Sequence, residues 1–192
     1  MSAELSPDTL LGGFADAPTQ SARAFRAALE AMARPGSIRS VEGATPPDLS
    51  VAAGVLILTL CDGTTPLHLG PSMNQPALRD WITFHTGAPL VAAEAARFAV
   101  GTWADLTPVN RFAVGLPDYP DRSATLIVEM PDLSAIGPRL TGPGILDAAH
   151  LSLPETHAFR ANRALFPQGF DTFLTSGNRL AALPRSTIVE AV

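Results

Sequence analysis

Apolar residues recur at helical spacing in the first part of the chain. Phe25, Leu29 and Met32 fall at positions i, i+4 and i+7 and form one apolar stripe. Ser21, just before the stripe, is a good N-cap residue, and the Pro-Gly pair at 35–36 is a signal that ends helices. We therefore predict a helix that begins near Ser21 and stops at this pair.

The next apolar run, SVAAGVLILTLCDG, begins at Ser50 and fits either a buried strand or a buried helix, because periodicity cannot separate the two. Its length and the capping Ser50 favour a helix. A further helix is predicted after Asn74, with Pro76 in its first turn. Short strands are predicted at residues 37–41, 66–69, 88–92 and 97–101, and residues 105–122 are predicted to be an irregular loop.

The second half of the chain has clearer strand signals. The segment ATLIVEM (124–130) predicts a central strand, because both of its faces are largely apolar. Further predictions are a strand at 139–141, a helix at 155–165, a hairpin from 171–175 and 179–183, and an edge strand at 187–189. Alternating helices and strands with a final hairpin predict a single α/β domain over residues 1–192, built on a mixed β-sheet with helices on both faces. Residues 1–17 are expected to be a loose arm.

The composition limits the chemistry open to the chain. All thirteen basic residues are arginine and lysine is absent, which excludes a pyridoxal-phosphate Schiff base, the lysine of a P-loop and a lysine general base. The net charge is −5 and there is no basic run, so we do not expect a nucleic-acid partner. Charged residues are scarce, at 16%, which indicates either an apolar surface that a complex covers or simply an alanine-rich chain.

Localisation and metal binding are also constrained. Cys61 is the only cysteine and lies in an apolar stretch, so we expect a core residue and no disulfide. The N-terminus lacks a signal-peptide pattern, and the apolar run at 51–60 is too short to span a bilayer, so we expect a cytoplasmic protein without a membrane partner. The four histidines are not spaced as a helical zinc pair, and we expect no metal site and no cofactor.

The segment RLTGPGI (139–145) is the first candidate site. Arg139, the Thr141 hydroxyl and the amides of Gly142 and Gly144 are groups that bind a phosphate or carboxylate. The proline between the glycines removes one donor and the segment is not a dinucleotide fingerprint, so the sequence favours a plain turn.

Two other segments carry polar candidates. His85 and Thr86 follow an aromatic-rich helix and precede a glycine, which fits a helix C-cap better than acid–base chemistry. Arg185, Thr187 and Glu190 follow a proline. The sequence leaves three alternatives for them: they line a cleft, they form a partner surface, or they lie on a solvated edge. There is no GxSxG elbow, and we nominate no catalytic residue.

Five segments together resemble the H subunit of the carbon–phosphorus lyase machinery, the PhnH family. They occur in the family's order and extend from about residue 25 to residue 190: FRAALEAMARPGSI, LTLCDGTTPL, FHTGAPL, RLTGPGI and FPQGFDTFLTSGNRLAALPRSTIVE. The resemblance implies a fold like that of pyridoxal-phosphate-dependent transferases but without the cofactor, which agrees with the absence of lysine.

The same resemblance implies a role in bacterial phosphonate utilisation. With the G, I and L subunits, the family is associated with transfer of the ribose triphosphate unit of a nucleoside triphosphate to an alkylphosphonate. The G, H, I and J subunits form a core complex, and the H subunit alone forms a homodimer. We therefore expect a scaffold or partner subunit. The alternatives are a subunit that binds phosphate or phosphonate through residues 139–144, and a free-standing small-molecule binder.

Overall fold

The computed structural model of the chain describes residues 11–190. Its α-helices are α1 (Ala17–Ala33), α2 (Val51–Leu60), α3 (Pro76–Thr86), α4 (Trp103–Leu106) and α5 (His157–Ala164). Its strands are β1 (Arg39–Ser40), β2 (Leu67–Leu69), β3 (Phe98–Thr102), β4 (Thr125–Glu129), β5 (Arg139–Thr141), β6 (Ala149–His150), β7 (Asp171–Ser176), β8 (Arg179–Leu183) and β9 (Ile188–Val189).

Six of the strands form a mixed sheet in the order β1-β8-β7-β4-β3-β2. The pairs β2/β3, β3/β4 and β4/β7 are parallel, whereas β8 pairs antiparallel with both β7 and β1. The remaining strands form a small antiparallel sheet in the order β6-β5-β9. The α/β class and the mixed sheet predicted from the sequence are confirmed.

Strand β4 lies at the centre of the hydrophobic core. Ile127 belongs to the apolar layer that contains residues of α1, α2 and α3, while Leu126 and Val128 belong to the layer on the opposite face. The second layer also receives Leu140 from the small sheet and Phe159 from α5. Successive side chains of a strand point to opposite faces, so β4 joins both layers, as the prediction of a central strand requires.

The ambiguous apolar run forms a helix, as its length and cap predicted. The Ser50 hydroxyl accepts a hydrogen bond from the Ala53 amide at 3.1 Å and closes the first turn of α2. Residues 52–57 are all buried. A helix that is apolar on every side is stable only when it is covered all round, which explains why periodicity alone could not identify it.

Some boundaries differ from the sequence-based predictions. Helix α1 begins at Ala17 after the N-cap Asp16, so Ser21 lies inside it, and Gln75 rather than Asn74 precedes α3. Residues 88–92 do not form a strand, because only Leu90 makes a bridge, to Leu67. The predicted loop 105–122 includes the end of α4 and two short 3₁₀ turns.

The expected N-terminal arm falls partly outside the described residues, which begin at Leu11. The Leu11 carbonyl accepts a hydrogen bond from the Trp81 indole at 3.0 Å, and the Gly12 carbonyl accepts one from the Thr45 amide at 2.9 Å. Phe14 packs against the core. Residues 11–16 are therefore held against the body of the protein rather than loose.

Helix α1 packs through alanines, and its large apolar residues lie elsewhere. Ala24, Ala28 and Ala31 are buried against the core, whereas Phe25 and Leu29 are 52% and 56% exposed. An apolar stripe usually faces the core, but small residues let α1 approach its neighbours closely, so that Phe25 and Leu29 face outward while Met32 packs partly against the core.

The two faces of α1 should differ in how strongly they respond to substitution. Ala28→Leu should lower the free energy of unfolding by about 1–3 kcal/mol, because it overfills a closely packed site. Leu29→Ala, one residue away on the exposed side, is the matched control and should change it by less than about 1 kcal/mol. Urea titration followed by circular dichroism measures both, and equal losses would contradict the orientation of α1.

Candidate functional site

The segment RLTGPGI forms a tight turn at the end of β5. The Ile145 amide donates to the Gly142 carbonyl at 3.1 Å, and Gly144 has a φ of +81°. Proline followed by a glycine at positive φ is the pattern of a type II turn. A side chain at Gly144 would collide with the Ala33 carbonyl at the end of α1. Glycine is therefore needed here both for the backbone conformation and for the close approach to α1.

Arg139 forms an ion pair with Glu190 across the small sheet. The Glu190 amide also donates to the Arg139 carbonyl at 3.0 Å, which continues the pairing of β5 with β9. The two side chains are 47% and 42% exposed. The positive charge proposed for an anion site thus has an internal partner, although solvent still reaches both groups.

Thr141 and Thr187 lie beside this ion pair. Thr141 pairs with Ile188 in the β5/β9 ladder. Thr187 is buried, and its hydroxyl has no hydrogen-bond partner among residues 11–190. The Thr187 Cα lies 3.7 Å from the position a Cβ would take on Gly142. The structure therefore brings Arg139, Thr141, Gly142, Thr187 and Glu190 together, with Gly144 in the adjoining turn.

Arg185 has a separate and mostly buried environment. Its Nη2 lies 2.5 Å from Asp171 Oδ2, and its Nε lies 3.1 Å from Asp171 Oδ1. The guanidinium also donates to the Pro120 carbonyl at 2.6 Å and to the Ser123 hydroxyl at 2.5 Å. Arg185 therefore ties the start of β7 to the 120–123 segment, and its guanidinium is occupied by these protein contacts.

His85 and Thr86 lie at the end of α3, whose buried residues belong to the other hydrophobic layer, apart from the small sheet. The His85 ring packs 5.0 Å from Trp81 and 4.9 Å from Phe84, measured between ring centroids. The Thr86 hydroxyl donates to the Ile82 carbonyl at 2.7 Å, and Gly87 ends α3 with a φ of +67°. This is the geometry of a helix C-cap.

Sequence reasoning missed Glu129, the last residue of the central strand. Its Oε1 accepts hydrogen bonds from the Ser50 amide at 3.0 Å and the Ser50 hydroxyl at 2.7 Å. Burial raises the pKa of Glu129, and hydrogen bonds from Ser50 and Thr175 oppose the rise only in part. An acid at the carboxyl end of a parallel strand is a signal for a functional position, and the sequence ATLIVEM carries that signal.

Asp105 is a second carboxylate at the same edge of the sheet. It completes a capping box with Thr102, and it accepts a hydrogen bond from the Ser72 amide at 3.0 Å. Burial alone would raise the pKa of Asp105, but hydrogen bonds from Ser72 and Thr102 together lower it. Side chains at Gly70 or Gly101 would meet the Asp105 Cβ. Asp105 therefore holds the ends of β2 and β3 together.

Two of the surface grooves have mainly apolar linings. One, of about 570 Å³, lies between α5 and residues 107–114 and is lined mainly by apolar side chains, including Phe112, Leu165 and Phe170. The side-chain amide of Asn162 in this groove is already hydrogen-bonded to the backbone of Phe170. It donates to the Phe170 carbonyl at 2.8 Å and accepts from the Phe170 amide at 2.9 Å. The other, of about 380 Å³, runs along α1.

The groove along α1 is lined mainly by apolar side chains, together with Thr125 and Asp171. Phe25, Leu29 and Met32 form one wall, and we call these three residues the α1 outer face. The opposite wall contains Leu60, Phe173 and Pro184. Large apolar side chains that remain exposed as a contiguous patch are typical of a protein–protein contact surface.

In the part of the chain that the structure describes, the side chains form neither a metal-ion site nor a reactive thiol. Among residues 11–190 no three His, Cys, Asp or Glu side chains lie close enough to hold a metal ion. Cys61 is buried, and burial raises the pKa of its thiol to about 12, so it is a poor nucleophile at neutral pH. Within the same residues no helix combines the length and apolarity needed to cross a bilayer.

The two arginines nominated from the sequence should differ sharply in their effect on stability. Arg185→Ala leaves the partly buried Asp171 without its partner and should lower the free energy of unfolding by about 3 kcal/mol, the lower end of the range for a fully buried pair. Arg139→Ala removes an exposed pair and should lower it by less than about 1 kcal/mol. Chemical denaturation of both variants measures this contrast, and a large loss from Arg139→Ala would show that the exposed pair is a structural clamp.

Glu129 should make stability depend on pH. Because its pKa is higher in the folded state, its stabilising contribution is complete below the ordinary pKa of glutamate, about 4.3, and is lost as pH rises through the folded value. Glu129→Gln keeps an oxygen to accept from Ser50 and removes the charge. We expect the variant to gain stability over the wild type between pH 4 and pH 7 in parallel denaturation curves. A constant difference across this range would contradict the raised pKa.

Comparison of the sequence with known proteins identifies a family and two relatives. The family model described as "Bacterial phosphonate metabolism protein (PhnH)" matches residues 12–190. The chain is 39% identical over 189 residues to the alpha-D-ribose 1-methylphosphonate 5-triphosphate synthase subunit PhnH of Rhizobium meliloti (strain 1021), covering 93% of this chain and 94% of that protein. It is 29% identical over 178 residues to the putative C-P lyase subunit protein HtxG of Stutzerimonas stutzeri, covering 89% and 86%. The resemblance seen in the sequence is confirmed, and the chain belongs to the PhnH family of bacterial phosphonate metabolism proteins.

Proposed function

We propose that the chain is a cytoplasmic subunit of a carbon–phosphorus lyase complex. In this role it supports transfer of the ribose triphosphate unit of a nucleoside triphosphate to an alkylphosphonate, together with G, I, J and L subunits. The two relatives, a ribose 1-methylphosphonate 5-triphosphate synthase subunit and a putative C-P lyase subunit, support this pathway. The chain contributes a structural surface, and partner subunits supply the reacting groups.

The observation that carries this proposal is the α1 outer face. Full burial of a Phe or Leu side chain stabilises a protein by about 1.5–3 kcal/mol. Phe25 and Leu29 are each about half exposed, so the isolated chain gains only about half of that stabilisation from each. The chain could have placed these residues inward and the alanines outward. Keeping the large side chains outside is favourable only if another surface covers them.

The candidate polar residues fit a structural role in the same proposal. Arg139 and Glu190 neutralise one another, and the turn at Gly142 and Gly144 attaches the small sheet to α1. The rival proposal, in which residues 139–144 bind phosphate or phosphonate directly, requires the Arg139–Glu190 pair to open when the anion arrives. A free-standing small-molecule binder would instead use the 570 Å³ groove beside α5.

Two finer parts of the proposal rest on the family resemblance. We expect the isolated chain to form a homodimer. We also expect the main sheet to correspond to the sheet of pyridoxal-phosphate-dependent transferases, and the absence of lysine fits a member of that fold without the cofactor. Parallel central strands with helices in both layers support this correspondence.

Purification from the native host tests the subunit role. The tagged chain is isolated from cells grown with a phosphonate as sole phosphorus source, and its assemblies are weighed by native mass spectrometry. We expect the chain to emerge with the other lyase subunits in fixed stoichiometry, because the α1 outer face needs a cover. Recovery of the chain alone, or only as a homodimer, would contradict the proposal.

A complementation assay separates the structural role from direct anion binding. In a host that lacks the native gene, Arg139→Ala should restore growth on phosphonate as well as the wild type does. Loss of growth with unchanged protein level and melting temperature would favour the rival, since a lost charged hydrogen bond weakens anion binding by about 1.5–3 kcal/mol. A melting-temperature rise of the isolated chain with nucleotides or phosphonates would favour the free-standing binder.

A further inference from the structure

A small polar cleft lies on the side of α1 that faces away from the α1 outer face. It has a volume of about 250 Å³ and opens where α1 packs beside β1 and β8. Because an α-helix has about 3.6 residues per turn, Ala27 in this cleft lies on the side of α1 away from Leu29. The polar side chains that line the cleft are Gln20, Arg23, Ser40, Glu42 and Asn178.

The fold does not use most of these polar side chains. Arg23 and Glu42 form no ion pair, with each other or with another residue, within residues 11–190. The sheet uses the backbones of Ser40 and Asn178, through the β1/β8 pairing and a hydrogen bond of 2.9 Å from the Val41 amide to the Asn178 carbonyl. Their side chains have no hydrogen-bond partner in the same range of residues. The cleft therefore offers free donors and acceptors to a ligand.

The cleft is held in shape by contacts around it. Ala24 and Val41, which are both buried, supply its apolar part. The Gln20 side-chain carbonyl accepts a hydrogen bond from the Asp16 amide at 2.8 Å. A side chain at Gly43 would collide with the Gln20 amide nitrogen. The polar groups are thus mounted on a helix, a strand and a tight turn, as in a preformed binding site.

The charges of the cleft indicate the class of ligand. One positive side chain, Arg23, and one negative side chain, Glu42, line it. A guanidinium binds a carboxylate through two parallel hydrogen bonds, and an ionised carboxylate accepts hydrogen bonds from an ammonium group. A phosphate-type group carries about −1.5 to −2 charges at pH 7, which a single arginine does not balance. The complementary ligand has one carboxylate and one ammonium group.

We propose that this cleft binds a small amino acid, with its carboxylate on Arg23 and its ammonium group on Glu42. The Ser40 hydroxyl and the Asn178 side-chain amide complete the hydrogen bonding. The volume of the cleft is below the range of about 300–1,000 Å³ for pockets that hold drug-sized ligands, so the ligand is small. This binding function is separate from the proposed subunit role and goes beyond it.

Isothermal titration calorimetry of the full chain tests the site. The probes are L-alanine and β-alanine, which differ in the separation of ammonium and carboxylate, and propionate, which lacks the ammonium group. We expect at least one of the two amino acids to bind. Propionate should bind at least about tenfold more weakly, because it leaves Glu42 without a partner. No binding of either amino acid would overturn the proposal.

Neutral variants separate the two charged groups. Arg23→Gln should weaken binding of the amino acid by at least about tenfold. Glu42→Gln should weaken it similarly without weakening the binding of propionate, so that the preference for the amino acid disappears. Arg26→Gln, at an exposed position of α1 outside the cleft, is the matched control and should stay within about twofold of the wild type.

Melting temperatures establish that every variant is folded. If Arg26→Gln weakens binding as much as Arg23→Gln does, or if Glu42→Gln weakens both ligands equally, the assignment of the two charged groups is wrong.

Two further comparisons decide what occupies the cleft. Tighter binding of 2-aminoethylphosphonate than of β-alanine, which has the same two carbons between its charged groups, would overturn the carboxylate assignment. Because the cleft lies away from the α1 outer face, the amino acid should bind equally well to the isolated chain and to its complex with the G, I and J subunits. Loss of binding in the complex would show that a partner segment fills the cleft, which would overturn the ligand site and leave the subunit role intact.

Discussion

Strand β4 has to be buried on both faces, and the arrangement of the remaining elements follows from that constraint. Ile127 requires a cover on one side, while Leu126 and Val128 require one on the other. Helices α1 to α3 supply the first cover, and α5 with the small sheet supplies the second. Parallel central strands are normally covered in this way, because their connections cross over both faces.

The way helix α1 packs on the sheet determines which surface is left for a partner. Helix α1 fits closely through Ala24, Ala28 and Ala31, and this packing leaves Phe25 and Leu29 on the outside. The turn after β5 then closes on the end of α1, where only glycine fits beside the Ala33 carbonyl. Thus the motif that first resembles an anion loop serves mainly to fix α1, and α1 provides the surface that we propose for a partner subunit.

Local signals predicted much of the fold. Ser50 identified the start of α2, and the segment ATLIVEM identified the central strand, because capping and two-sided apolarity depend only on neighbouring residues. The direction of the α1 stripe was not predictable. Its spacing indicates that Phe25, Leu29 and Met32 share a face, but not whether the core or a partner covers that face.

For the candidate site residues, too, local sequence signals predict contacts between adjacent residues but not contacts between distant ones. The C-cap at Gly87, directly after Thr86, follows from adjacent residues, and the structure has that geometry. Arg139 and Glu190 are 51 residues apart in sequence, and Arg185, just after β8, meets Asp171 only because β8 pairs with β7. No local pattern reveals such pairs. Glu129 was overlooked for a different reason, since the prediction of ATLIVEM as a central strand gave its acid no separate role.

Solvent access to the α1 outer face in the assembled complex tests the central claim most directly. Cys61 is the only cysteine and is buried, so a thiol introduced by Leu29→Cys is labelled selectively by a maleimide near neutral pH. An Arg160→Cys variant provides a reference on α5. The account predicts fast labelling at position 29 in the isolated chain and strong protection in the complex with the G, I and J subunits, with position 160 labelled at the same rate in both. Equal labelling at position 29 in the isolated and assembled protein would contradict it.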